Sequence, residues 1–135
     1  MEIFFAVVYA TLAWFIVAAV LFFNPFVDKI YSEGEDHPAV KSLPKSPATI
    51  GKILLAVLIQ CILWAIVYVW INNALPQNPF FKIVIFGTII SFIKIIPRDI
   101  DRILLTTYPI KRMTIEFIIG LICSYVVAFV YVYQI

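Results

Sequence analysis

Charge is what this chain has least of: Lys, Arg, Asp and Glu make up 13% of it and apolar residues 64%, against about 45–50% apolar in ordinary soluble proteins. A water-soluble domain of 135 residues has too little interior to hide so many large side chains, whereas a bilayer accepts apolar surface all round a helix. Basic blocks and aromatic-basic repeats are missing too, and the net charge is only +2, which argues against nucleic acid as a partner. The single histidine, His37, sits among acidic residues with no cysteine beside it. It reads as a solvated loop residue, and no metal is expected. The two cysteines, Cys61 and Cys123, lie midway along apolar stretches and read as small, reduced packing residues. No catalytic constellation stands out and no cofactor is expected. The first apolar run follows Glu2 without a basic region before it and is long enough to span, so it is expected to stay as a helix rather than be cleaved as a signal peptide.

What the chain does have is four long apolar runs, which predict an all-α fold: a single transmembrane domain over 1–135, an up-and-down bundle of four spanning helices. The first span covers 3–23 without a charge, and at about 1.5 Å per residue it matches a hydrocarbon thickness of ~30 Å. Asn24-Pro25 is expected to stop it, leaving a charged loop over 24–49 with no packed core of its own. Ser46-Pro47 looks like a helix cap followed by proline in the first turn, the second span reaches 71, and the same signature returns at Asn78-Pro79 before a third span over 79–96. The short connection between them makes the second and third spans antiparallel neighbours. Pro97 is expected to end the third span, after which Ile100, Ile103, Leu104 and Thr107 share one helical face. That spacing predicts a short amphipathic helix in the membrane interface. The fourth span occupies 109–133.

Nine of the ten Lys and Arg residues lie in or beside the first and third loops (Lys29, Lys41, Lys45, Lys52, Lys94, Arg98, Arg102, Lys111 and Arg112), and Lys82 alone lies on the other side. Positive loops stay in the cytoplasm. Both termini are therefore expected outside, in a bacterial inner membrane. Trp70, Phe80, Phe81, Tyr131 and Tyr133 at the outer ends, and Phe22, Phe26 and Tyr108 at the inner ends, read as interfacial anchors.

Few residues carry chemistry. Glu116 is the one acid inside a span, and intramembrane acids are costly and enrich at functional sites. Lys94 is expected at a matching depth and in a pair with it, as a structural clamp or a proton site. Alternatively Lys94 reaches up to headgroups while Glu116 bonds Arg98 or Lys111. Gly87 and Ser91 on the third span and Gly120 and Ser124 on the fourth recur at spacings of four, a pattern for close helix packing. Arg98, Asp99, Asp101 and Arg102 form the densest charge cluster, suited to a lipid headgroup or to the solvated face of an interfacial helix. Thr11 and Gln60 lie near the membrane midplane, as lining of a small cavity or as polar links between helices.

The length and helix count resemble those of the small multidrug-resistance transporters and the fluoride channels. The former family implies a glutamate in the first span, where this chain has only Thr11, and dual-topology families show a weak charge bias. The Pro-aromatic-Lys stretch Asn24-Pro25-Phe26-Val27-Asp28-Lys29 and the charged connection before the last span also resemble bacterial four-helix membrane proteins known only as a domain of unknown function, a resemblance that implies the fold and no activity. Three functions fit the sequence: a non-enzymatic protein that binds or stabilises a membrane-protein partner, a homo-oligomeric transporter or channel using Lys94 and Glu116, and a lipid-headgroup binder or enzyme using Arg98 to Arg102.

Overall fold

A computed structural model describes residues 2–34, Pro38 and 47–135. The expected cap at Ser46 and the loop residue His37 lie outside the described residues. The chain is helical, with no strand among the described residues: α1 (Glu2–Phe22), α2 (Pro25–Gly34), α3 (Pro47–Ile71), α4 (Pro79–Ile90), α5 (Ile96–Leu105) and α6 (Ile110–Gln134). Four stretches are long and apolar enough to cross a membrane: Glu2–Phe22, Pro47–Ala74, Pro79–Leu105 and Ile110–Gln134. This is the composition and layout of a multi-pass membrane protein.

Two helix boundaries differ from the sequence reading. The segment after Asn24 is not all loop, because the Asn24 side chain accepts a hydrogen bond from the Phe26 amide at 2.9 Å and Pro25 opens the ten-residue α2. Asn78 and Pro79 start α4 in the same way, the Asn78 side chain accepting from the Phe80 amide at 2.9 Å. An Asn-Pro pair thus ends one helix and begins the next. The second difference lies at Pro97, which does not end the third span. Proline has no amide to donate and crowds the preceding turn, and the helix absorbs this by widening into a π-turn at Ser91–Ile95, whose next amide, on Ile96, bonds back to Ser91. The helix then continues as α5. Such turns are single-residue insertions that let a helix pass an obstruction.

α6 packs along α1 on one side and α4 on the other, and α1 also packs along α3. Ala6, Ala10 and Ala128, all fully buried, let these backbones come close. α3 meets α4 through larger rings: Phe86 lies 5.0 Å from Tyr68 and 6.5 Å from Trp64, centroid to centroid. Tyr131 completes the group at 6.0 Å from Tyr68 and donates its hydroxyl to the Cys61 carbonyl. The sequence reading made Tyr131 a surface anchor, whereas it is fully buried. The rotation of α6 turns it inward, and its hydroxyl finds a partner there. Trp70, Phe80, Phe81 and Tyr133 do point outward, as do Ile16, Val20, Leu55, Ile59, Leu63 and Ile66 along α1 and α3. The turn between α3 and α4 is tied by Lys82, which donates to the Asn72 side chain at 3.1 Å.

Candidate functional site

The charged residues gather at one end of the molecule, around Glu116 on the first turns of α6. Its Oε1 accepts hydrogen bonds from the Tyr31 hydroxyl at 2.9 Å and the Tyr108 hydroxyl at 2.6 Å. Its Oε2 is ion-paired with the Arg102 guanidinium. Arg112, one turn back on α6, brings Nε to 3.7 Å from Oε1 and donates to the Tyr108 oxygen at 3.0 Å. Each arginine also lies on a ring: Arg112 3.9 Å from the Tyr31 centroid and Arg102 4.3 Å from that of Tyr108. One carboxylate is therefore held by two phenols and two guanidinium groups drawn from α2, α5, α6 and the connection before α6. Charge-assisted bonds of this kind are the strong ones, and cation–π contacts add to them where solvent is excluded.

Local structure sets these positions. The Thr106 hydroxyl and amide both bond to the Arg102 carbonyl, at 2.7 and 3.2 Å, closing the end of α5. The Tyr108 amide bonds to that same hydroxyl at 3.3 Å, which turns the phenol back over Arg102. Tyr31 is braced by Phe22, whose ring stands edge-on to it at 5.3 Å. Burial pushes the Tyr31 phenol well above its ordinary value, and the neighbouring Glu116 carboxylate pushes it further. Tyr108 is raised in the same sense, by burial first and then by its bond to Glu116. Both phenols thus stay protonated donors.

The expected pair between Lys94 and Glu116 is not formed. Lys94 Nζ lies 3.5 Å over the centre of the Trp14 ring and makes no ion pair among the described residues. The reason is register. α5 and α6 run antiparallel about the connection at 106–109, so Ile95 packs on Gly120 and Arg102 meets Glu116. Because the third span runs on through Pro97, Lys94 stands roughly five residues, or ~7 Å, farther from the charged end than Glu116. Neither Arg98 nor Lys111, the alternative partners, bonds Glu116.

The Arg98 to Arg102 cluster divides. Asp99 is buried, with Oδ1 at 3.1 Å from Arg98 Nε and 4.0 Å from Arg102, while Asp101 is exposed and forms no ion pair among the described residues. Two atoms of the cluster, Arg98 Nη2 and Asp99 Oδ2, are buried without a hydrogen-bond partner. Gly87 receives the Tyr125 ring and Gly120 the Ile95 side chain, while the Ser91 and Ser124 hydroxyls each bond back to those glycine carbonyls at 2.8 Å. Thr11 likewise bonds back to the Val7 carbonyl at 2.8 Å, and the Gln60 carbonyl oxygen is buried and unpartnered. No hydrogen bond joins Thr11 to Gln60.

No family model, curated protein or solved structure matches this chain. The resemblance carried by Asn24 to Lys29 therefore attaches it to no family. Among the described residues no cluster of His, Cys, Asp or Glu is large enough to hold a metal ion. A groove of about 340 Å³ opens beside Arg102, floored by Thr106 and Tyr108 and walled by Ile103, Ile110 and Met113.

Sequence reasoning missed Tyr31 and Arg112 and gave Tyr108 a different role. The spacing of four between Arg112 and Glu116 was a usable signal. For Tyr31 there was none, since it comes from α2, 85 residues away in the chain.

Proposed function

We propose that this chain is a non-enzymatic, multi-pass membrane protein that works by binding or stabilising a membrane-protein partner through its membrane-embedded faces. The observation that supports this reading is the state of Glu116. It is the one acid within the fourth span, and Tyr31, Tyr108 and Arg102 already occupy it, with Arg112 beside it. A carboxylate that carries protons or binds substrate needs a free face, and this one is spent on holding helices together. What the molecule offers outward is apolar, along α1 and α3, where partners in a membrane associate by packing.

In the same reading the four spans form an up-and-down bundle in a bacterial inner membrane, with both termini outside and the Glu116 end in the cytoplasm. α5 lies at the membrane interface with Ile103 and Leu104, both exposed, in lipid. A cysteine placed at Ser46, in a variant lacking Cys61 and Cys123, is then expected to resist an impermeant thiol reagent applied to intact cells. Labelling there would reverse the orientation.

Native mass spectrometry of the protein extracted gently from its own membrane tests the function. A foreign membrane protein leaving with it in fixed stoichiometry supports the reading. A bare monomer removes it, and a homo-oligomer removes it and moves effort to flux and lipid assays on Glu116 and the arginine cluster.

A further inference from the structure

A tyrosine that faces lipid ordinarily sits near a headgroup, where its hydroxyl is wet. Tyr125 does not. It stands about nine residues from the end of α6 at Gln134, and Thr88 about nine from the start of α4 at Pro79. At about 1.5 Å per residue both lie ~14 Å inside spans that cross ~30 Å of hydrocarbon, which is the middle of a bilayer. Their hydroxyls bond to each other at 3.0 Å on the exposed side of the two helices, with Tyr125 37% exposed. Gly87 accounts for the placement, since the Tyr125 ring occupies the space that a Cβ there would take. The ring is thereby seated on the α4 backbone, and its oxygen is carried to Thr88 rather than to a headgroup.

The protons of this pair are spent. Thr88 donates to the Val84 carbonyl at 2.7 Å, which leaves the Tyr125 proton for the bond between the hydroxyls. Both oxygens keep acceptor positions, and hydrocarbon has no donor to offer them. A neighbouring helix does, from an amide or hydroxyl side chain. Around the pair stand large apolar side chains: Phe81, Ile85 and Phe92 on the third span, and Ile118, Ile122 and Phe129 on the fourth, each 38–62% exposed. They lie three, four or seven residues from Thr88 or Tyr125, the spacing that keeps side chains on one helical face. Apolar groups that shield a central polar contact are how helix interfaces gain both packing and direction. The outward residues of α1 and α3 named above are all apolar and bring no such directional group.

We propose that the face of the third and fourth spans around Thr88 and Tyr125 docks a transmembrane helix of the partner, and that this helix places an amide or hydroxyl side chain at mid-bilayer to donate to the Tyr125 oxygen. This rests on the partner-binding reading and adds to it the face used and the group recognised.

Two synthetic polyleucine transmembrane peptides serve as probes, one with a single central asparagine and one without. The full chain is reconstituted in phosphatidylcholine vesicles with a donor dye at its C-terminus, and energy transfer to an acceptor dye on the peptide reads association, at peptide-to-lipid ratios where the peptide alone does not self-associate. The asparagine peptide is expected to bind at least about threefold tighter than the plain one. That preference should be reduced by Tyr125→Phe, which keeps the ring on Gly87, abolished by Tyr125→Phe combined with Thr88→Val, and unchanged by Gln60→Met on α3. Near-ultraviolet circular dichroism establishes that the variants are folded. Phe129→benzoylphenylalanine should cross-link the asparagine peptide on illumination and Leu63→benzoylphenylalanine should not. Absence of the preference, its survival in the folded double variant, or cross-linking from position 63 alone overturns the proposal. Such a failure beside a partner found by native mass spectrometry moves the partner to another face, whereas a bare monomer in that measurement removes partner binding itself.

Discussion

Replacing Glu116 by glutamine removes one negative charge from the point where α2, α5 and α6 meet, and keeps nearly the same shape. The amide oxygen can still accept from Tyr31 and Tyr108, so the loss falls on the two guanidinium groups. Removing one partner of a fully buried ion pair costs roughly 3–5 kcal/mol, because the other charge is left uncompensated. Here the side chains of Arg102 and Glu116 are 27% and 17% exposed, so water screens part of the charge. The expected destabilisation is about 2–3 kcal/mol after that discount. Unfolding in a detergent series, followed by near-ultraviolet circular dichroism of the tyrosines and tryptophans, measures it. A cycle with Arg102→Gln isolates the pair, and a coupling of about 1 kcal/mol or more is expected for residues in direct contact. If Glu116→Gln unfolds within about 0.5 kcal/mol of the parent protein, the level of an ordinary surface change, or shows no coupling to Arg102, then the network does not hold the helices together.

Other expectations follow from close contacts and from the phenols. A methyl at Gly87 would overlap the Tyr125 ring, so Gly87→Ala is expected to cost about 1–3 kcal/mol of stability. Gly51→Ala meets nothing within 4 Å and should gain up to about 1 kcal/mol from helix propensity in the same unfolding assay. Tyr131→Phe takes a buried donor from the Cys61 carbonyl, which keeps its place in the helix, and should cost about 0.6–1.5 kcal/mol. The pKa values of Tyr31 and Tyr108 are both raised in the folded protein above the ordinary 10.0. The stability they carry is therefore fully present below about pH 10 and drains away as pH rises beyond it. Tyrosinate absorbance on alkaline titration should show these two phenols ionising only as the protein unfolds, and early ionisation of both would contradict their burial against Glu116.

The spans were legible because length and continuity of apolar residues are local properties of a sequence. The start of α4 was legible for the same reason, since a cap and a first-turn proline act on their own neighbours. α2 was hidden by the double meaning of Asn24-Pro25, which reads as a stop when only the preceding helix is considered. The Lys94 to Glu116 pair failed on a length. It assumed that Pro97 closes the third span, and the helix instead takes up Pro97 with a π-turn at Ser91–Ile95, which no residue pattern within that segment announces. Tyr131 failed on an angle, because distance from the helix end suggests an anchor while only the rotation of α6 decides what it faces. Long-range partners such as Tyr31 and Glu116 leave no trace in local spacing at all.

The π-turn also sets a phase. One extra residue in a helix advances everything after it by about 100°, so the side chains of Arg98, Asp99 and Arg102 face α6 only because the turn at Ser91–Ile95 is over-filled. Deleting Ile93, an exposed residue within it, would let the stretch relax to ordinary helix and leave that triad facing α6, whereas straightening the turn with every residue kept would swing the triad around the axis toward lipid, with no charged residue altered. The polar end of this molecule is thus written as much in a residue count as in residue chemistry.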